Sequence, residues 1–169
     1  MKLNFKLVLG LLLIWSCSEN VQRKKLKIQN WSDRAIEIKG KDSLEHGKSY
    51  LSIYSQIYSL TQEKTHNLTA MASLRNLSGS DTIYLLKAEY YDTHGKLVRN
   101  YFDRPIFLSP METVEIVIDE IDVEGGTGSN FLFEWKTPKN CPEPLFEGVM
   151  SSTMAQQGLS FTTQGKRIE

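Results

Sequence analysis

The chain has 169 residues, with 20 basic side chains, 20 acidic ones and three histidines, so it is neutral overall. That balance excludes a strongly basic nucleic-acid binder, which needs clustered positive charge. Length and a 40% apolar content suit one domain with a real core, and two cysteines cannot make a disulfide framework.

The N-terminus reads MKLNFKLVLGLLLIWSC. Lys2 and Lys6 flank the start of an apolar run, Leu7 to Ile14, interrupted only by Gly10. A spanning helix needs about 20 apolar residues. This run is shorter and suits the apolar region of a secretory signal. Ser16 then stands before Cys17. A small residue before a cysteine at the end of such a run resembles a bacterial lipobox. The resemblance implies cleavage after residue 16 and lipidation of Cys17. Trp15 stands where a small or aliphatic residue is usual, and the competing reading is an ordinary signal peptide with an incidental cysteine. Each buried acyl CH₂ contributes about 0.8 kcal/mol, so two or three chains anchor a protein without spanning the membrane. Two of the basic residues lie in the leader, so the remainder carries a net charge of −2.

The expected organisation is a signal peptide at 1–16, a lipidated cysteine and polar tether at 17–48, and a β domain at 49–169. The expected location is the bacterial cell envelope, on its periplasmic face or at the cell surface. Within the tether, RKKLK at Arg23–Lys27 could lie on anionic lipid; a solvated spacer is the preferred reading. LKIQNWSDRAIEIKG could form a loosely attached strand pair.

From Tyr50 onward, period-2 alternation dominates, the signature of strands with one buried face. Leu51, Ile53 and Ile57 share one face, and Tyr50, Tyr54 and Tyr58 the other. Leu68, Ala70, Ala72 and Leu74 alternate with Thr69, Met71, Ser73 and Arg75. Tyr84, Leu86, Ala88 and Tyr90 form the next inward set. YDTHGKL predicts a hairpin in which Asp92 accepts backbone hydrogen bonds and Gly95 supplies a positive φ. Pro105 and Pro110 confine DRPIFLSPMET to a short edge strand or a crossing. Val114, Ile116 and Ile118 follow, then Phe131, Phe133 and Trp135. Short strands at this spacing predict an all-β fold, an antiparallel two-sheet β-sandwich of immunoglobulin-like type.

VEGGTGSNFLFEW poses the sharpest question about chemistry. A P-loop needs a lysine after its glycines and a helix behind them. Neither is present, and the segment behind is an alternating strand. Gly125 and Gly126 are therefore expected to serve a turn. Acidic residues precede them, and Asp119, Asp122 and Glu124 could offer oxygens to calcium. Their spacing is not that of an EF-hand, and a solvated strand end is the simpler reading. Met150 and Met154, with Cys141, could offer sulfur to Cu(I); core filling and a chance loop thiol compete with that. The histidines are scattered, which gives zinc catalysis no support. No nucleophile–base set is placed by motif. The expectation is a non-enzymatic module with no cofactor. Rows of tyrosine could meet sugars or partner surfaces, each ring having an apolar body and a polar tip.

The stretches YSQIYS, HNLTAMASLRN, YYDTHGKLVRNY, GGTGSNFLFEW, EPLFEGVM and QQGLSFTTQGK occur in that order. Together they resemble domain-of-unknown-function family 3124, a group of bacterial lipoproteins. The resemblance spans about Lys48 to Ile168 and implies an envelope lipoprotein with no assigned activity. The candidate ligand or partner surface is the loops carrying Asp92 and Gly95, Gly125, Gly126 and Asn130, and Gln156 and Gln157, expected to meet at one end of the sandwich. The expected partners are the membrane through the lipid anchor and an envelope protein or saccharide, with no nucleic acid.

Overall fold

The computed structural model describes residues 29–38, 43–153 and 158–169. The alternating segments become twelve antiparallel strands. They are β1 (Leu44–Ser52), β2 (Gln56–Ser59), β3 (Thr61–Asn67), β4 (Thr69–Arg75), β5 (Ile83–Tyr91) and β6 (Leu97–Asn100). The rest are β7 (Ile106–Leu108), β8 (Thr113–Ile118), β9 (Asn130–Pro138), β10 (Leu145–Ser152), β11 (Leu159–Gln164) and β12 (Lys166–Arg167). One sheet runs β12-β1-β9-β5, with β6 and β7 both pairing along the far edge of β5. The second runs β11-β10-β4-β8, and β2 and β3 form a separate ribbon. The two large sheets enclose one core, so the fold is an all-β antiparallel sandwich. No helix among the described residues is long and apolar enough to cross a membrane.

Strict alternation explains the best-formed strands. Val114, Ile116 and Ile118 of β8, and Phe131, Phe133 and Trp135 of β9, are all buried. Phe131 stacks on Phe133 with ring centroids 5.2 Å apart, and Phe133 stacks on Phe146 of β10 at 4.3 Å. The second contact joins the two sheets through aromatic rings, which contribute beyond their buried area.

β1 begins at Leu44, inside the segment read as tether. Its early half is polar, so alternation could not announce it. Gly47 and Ser49 face inward because Trp135 stands opposite them. A Cβ on Gly47 would collide with the indole ring, and the indole Nε1 donates to Ser49 Oγ at 3.0 Å. Small residues on one strand thus make room for the largest residue on its neighbour.

Four further departures have local causes. β5 carries a bulge between Leu85 and Lys87. The inward set is consequently Ile83, Leu85, Ala88 and Tyr90, while Leu86 leaves the core. An extra residue in one strand flips the phase of everything beyond it. The segment Tyr50–Tyr58 breaks between β1 and β2, so its tyrosines do not stripe one strand. β3 lacks any apolar alternation and lies largely exposed, held by its ladder to β2. LKIQNWSDRAIEIKG supplies no strand pair among its described residues. It forms a 3₁₀ turn at Trp31–Arg34 and a single bridge from Ala35 to Ile106.

That turn is fastened to the sandwich. Trp31 packs on Phe102 with centroids 5.6 Å apart. Arg34 Nη2 reaches Glu112 Oε1 at 2.6 Å, and Ser109 N donates to Glu112 Oε2 at 2.8 Å. The bond from Arg34 holds the Glu112 carboxyl below its ordinary value of 4.5. A carboxyl depressed in the folded state contributes stability above its unfolded value, and loses it as pH falls through the folded one. The Tm difference between the native protein and Glu112→Gln should therefore stay constant above about pH 5.5 and shrink below about pH 4.5. Thermal melts across that range measure it.

Candidate functional site

The hairpin between β5 and β6 forms as its residues dictate. Asp92 Oδ1 accepts from His94 N at 2.8 Å and from Lys96 N at 2.9 Å. Gly95 takes φ +77°. The hydrogen bond from Lys96 holds the Asp92 carboxyl below its usual range.

The glycine loop between β8 and β9 turns its polar groups inward. Gly125 O accepts from Thr93 N and from Thr93 Oγ1, both at 3.0 Å. Gly128 N donates back to Thr93 Oγ1 at 2.9 Å. Thr93, at the hairpin tip, is thereby stapled to the loop. Gly126 O accepts from Gln56 N at 3.1 Å and Ser55 Oγ at 3.2 Å. Gly126 N donates to Val123 O at 3.1 Å. Behind them Ser129 Oγ donates to Ile53 O at 2.7 Å and accepts from the Tyr90 hydroxyl at 3.2 Å. Burial pushes the Tyr90 phenol up.

These contacts answer the question the glycines raised. A phosphate cradle presents backbone N–H groups outward. Here the amides of Gly126 and Gly128 are already spent inside the protein. Gly126 takes φ +72°, a conformation that suits glycine. Gly125 is buried against the Tyr90 hydroxyl with no room for a Cβ.

The predicted site residues divide accordingly. The Asp92–Gly95 hairpin and the Gly125–Gly126 loop meet through Thr93. Asn130 opens β9 as a ladder partner of Ser52 and Tyr91. Gln156 and Gln157 lie outside the described residues, as do Cys17 and Met154. The third segment at this end is Ile53–Gln56, between β1 and β2. Ser55, Tyr90, Thr93 and Ser129 carry the junction; alternation marks Tyr90 as inward, while the other three have no sequence signal beyond a small hydroxylated side chain.

The candidate calcium ligands are engaged otherwise. Arg99 Nη2 lies 2.9 Å from Asp122 Oδ2 and 3.2 Å from Glu124 Oε2. Asp122 in turn holds the guanidinium charged well above its ordinary value. Asp119 is exposed, and its carbonyl accepts from Asp122 N at 2.8 Å. Among the described residues no group of three His, Cys, Asp or Glu is disposed to hold a metal ion. Met150 is buried opposite Ala70 at the start of β4. Cys141 lies beside Ser78, beyond the other end of β4, and burial pushes its thiol up. The sequence pairing of Met150 with Cys141 is not brought together.

Asn76 secures that other end. Its Nδ2 donates to the carbonyls of Asp81, Leu108 and Ser109 at 2.7, 3.1 and 2.9 Å, while Oδ1 accepts from Ser78 N at 2.9 Å.

The fold and its loops define an antiparallel β-sandwich domain whose prominent turns are built to hold one another. The chain belongs to the family described as "Protein of unknown function (DUF3124)", which matches residues 46–168. No curated protein matches it. Among solved structures it is similar to the crystal structure of Thermotoga maritima 1070, at 13% identity and a TM-score of 0.47, covering 71% of this chain and 92% of that one.

Proposed function

We propose that the protein is a lipid-anchored domain of the bacterial cell envelope that works by binding a protein partner rather than by catalysis. The apolar leader and the Ser16–Cys17 pair support the anchor. The observation that carries the binding half is the stapling of the hairpin to the glycine loop through Thr93. A surface fixed before association loses little freedom on binding. Leu97, Ile121 and Val123 are exposed on the segments that Arg99 ties together, Ile121 by 89%. Exposed apolar side chains rimmed by charged groups mark interaction surfaces. The calcium alternative would require Arg99 to release Asp122 and Glu124.

Two experiments test the two halves. Wild-type protein should partition into detergent, and Cys17→Ala should move to the aqueous phase; an unchanged partition contradicts the anchor. A photo-crosslinker at position 121 should give one discrete adduct in cells, lost when Leu97 and Val123 are changed to lysine. An adduct that survives those changes, or no adduct at all, contradicts the surface.

A further inference from the structure

We propose that the cleft between the 3₁₀ turn and the loop leaving β6 binds a neutral saccharide. The cleft is open on one side, offers about 480 Å³ and is bordered by Asn30, Trp31, Tyr101, Phe102, Asp103 and Arg104. Small-molecule sites are typically about 300–1,000 Å³, so a pyranose unit or two fits.

Trp31 and Tyr101 both line the cleft and are half-buried, and the Arg99 guanidinium sits 5.8 Å from the Tyr101 ring centre. Both rings are held from behind. Trp31 rests on Phe102 at 5.6 Å, and Tyr101 on Phe131 at 5.5 Å. The Tyr101 hydroxyl also accepts from Arg99 Nη1 at 3.2 Å. Rings fixed in advance lose little entropy when they meet the C–H face of a sugar.

The rim supplies the polar half of the recognition. Asp103 and Arg104 are exposed, and neither makes a hydrogen bond or ion pair among the described residues. One can only accept and the other can only donate. Between them they offer both partners that a sugar hydroxyl, which donates and accepts, can use. Their charges cancel, which disfavours a phosphate or polyanion. The open polar rim disfavours an apolar ligand. The site uses other residues than the hairpin and glycine loop, so its failure would leave the partner reading standing.

Isothermal titration of the full chain in detergent tests this. The probes are tetramers of β-1,4-linked N-acetylglucosamine, β-1,4-linked glucose and α-1,4-linked glucose, with inorganic phosphate as the control. At least one saccharide should bind and phosphate should not. Trp31→Ala and Arg104→Ala should each weaken that binding by about tenfold or more. Arg104→Ala should do so with Tm unchanged, because its exposed side chain makes no hydrogen bond or ion pair among the described residues; it guards against a Trp31→Ala loss caused by a loosened turn. No saccharide bound at about 10 mM, phosphate bound instead, or binding that survives Arg104→Ala would each overturn the proposal.

Discussion

Gly125→Ala should destabilise the protein by about 3 kcal/mol, although it adds a single methyl group. The added Cβ would overlap the Tyr90 hydroxyl and come within 2.7 Å of Ser129 Oγ. Neither atom can retreat cheaply. The Tyr90 hydroxyl donates to Ser129 Oγ, which donates to Ile53 O, and all lie in the interior. Shifting the loop instead would strain the bonds from Thr93 to Gly125 O. The neighbouring Gly95→Ala is the contrast. Nothing lies within 4 Å of its Cβ position, so only the positive φ resists, at about 1 kcal/mol. Urea unfolding of both variants measures the difference.

Trp135→Ala should cost about 3–5 kcal/mol, the range for removing a large aromatic side chain from a core. For a domain of this length that is a fall in Tm of roughly 10 °C. The indole is 1% exposed and fills the space that Gly47 leaves. Its loss strands the Ser49 hydroxyl without its donor and removes the surface over which the Arg167 guanidinium sits, 5.2 Å from the ring centre. Arg167 belongs to β12, which among the described residues pairs only with β1. The C-terminal strand should therefore loosen together with the core, and thermal melts with C-terminal hydrogen exchange would register both.

The legible parts of the sequence share one property: their information is local. β8 and β9 alternate without interruption, so their buried faces could be named from spacing alone; in β4 the predicted face is buried, and Ser73 of the other face is buried with it. The hairpin was legible to the atom, because Asp92 and Gly95 act on backbone within four residues of themselves. What escaped depends on distant partners. The bulge in β5 is set by its neighbour β9, and no residue in IYLLKAEYY announces it. Gly47 and Ser49 of β1 are small because Trp135, 88 positions after Gly47, lies against them. Thr93 is an ordinary turn threonine until the glycine loop, 32 residues on, places a carbonyl before it. The acidic run before the loop could be read as ligands only while Arg99 was unplaced. Pairing with that guanidinium explains Asp122 and Glu124 without an ion.

The glycine loop is a clamp, its atoms committed to the hairpin tip, to the residues that follow β1 and to Tyr90. The most direct measurement is a double-mutant cycle by urea denaturation, with Gly125→Ala made in the native background and in Tyr90→Phe. Removing the hydroxyl removes the atom that the new Cβ would strike first. The alanine penalty should then fall by about 1 kcal/mol or more, a coupling of the size expected for residues in contact. An equal penalty in both backgrounds would mean that Gly125 does not close on Tyr90, and the clamp would be contradicted.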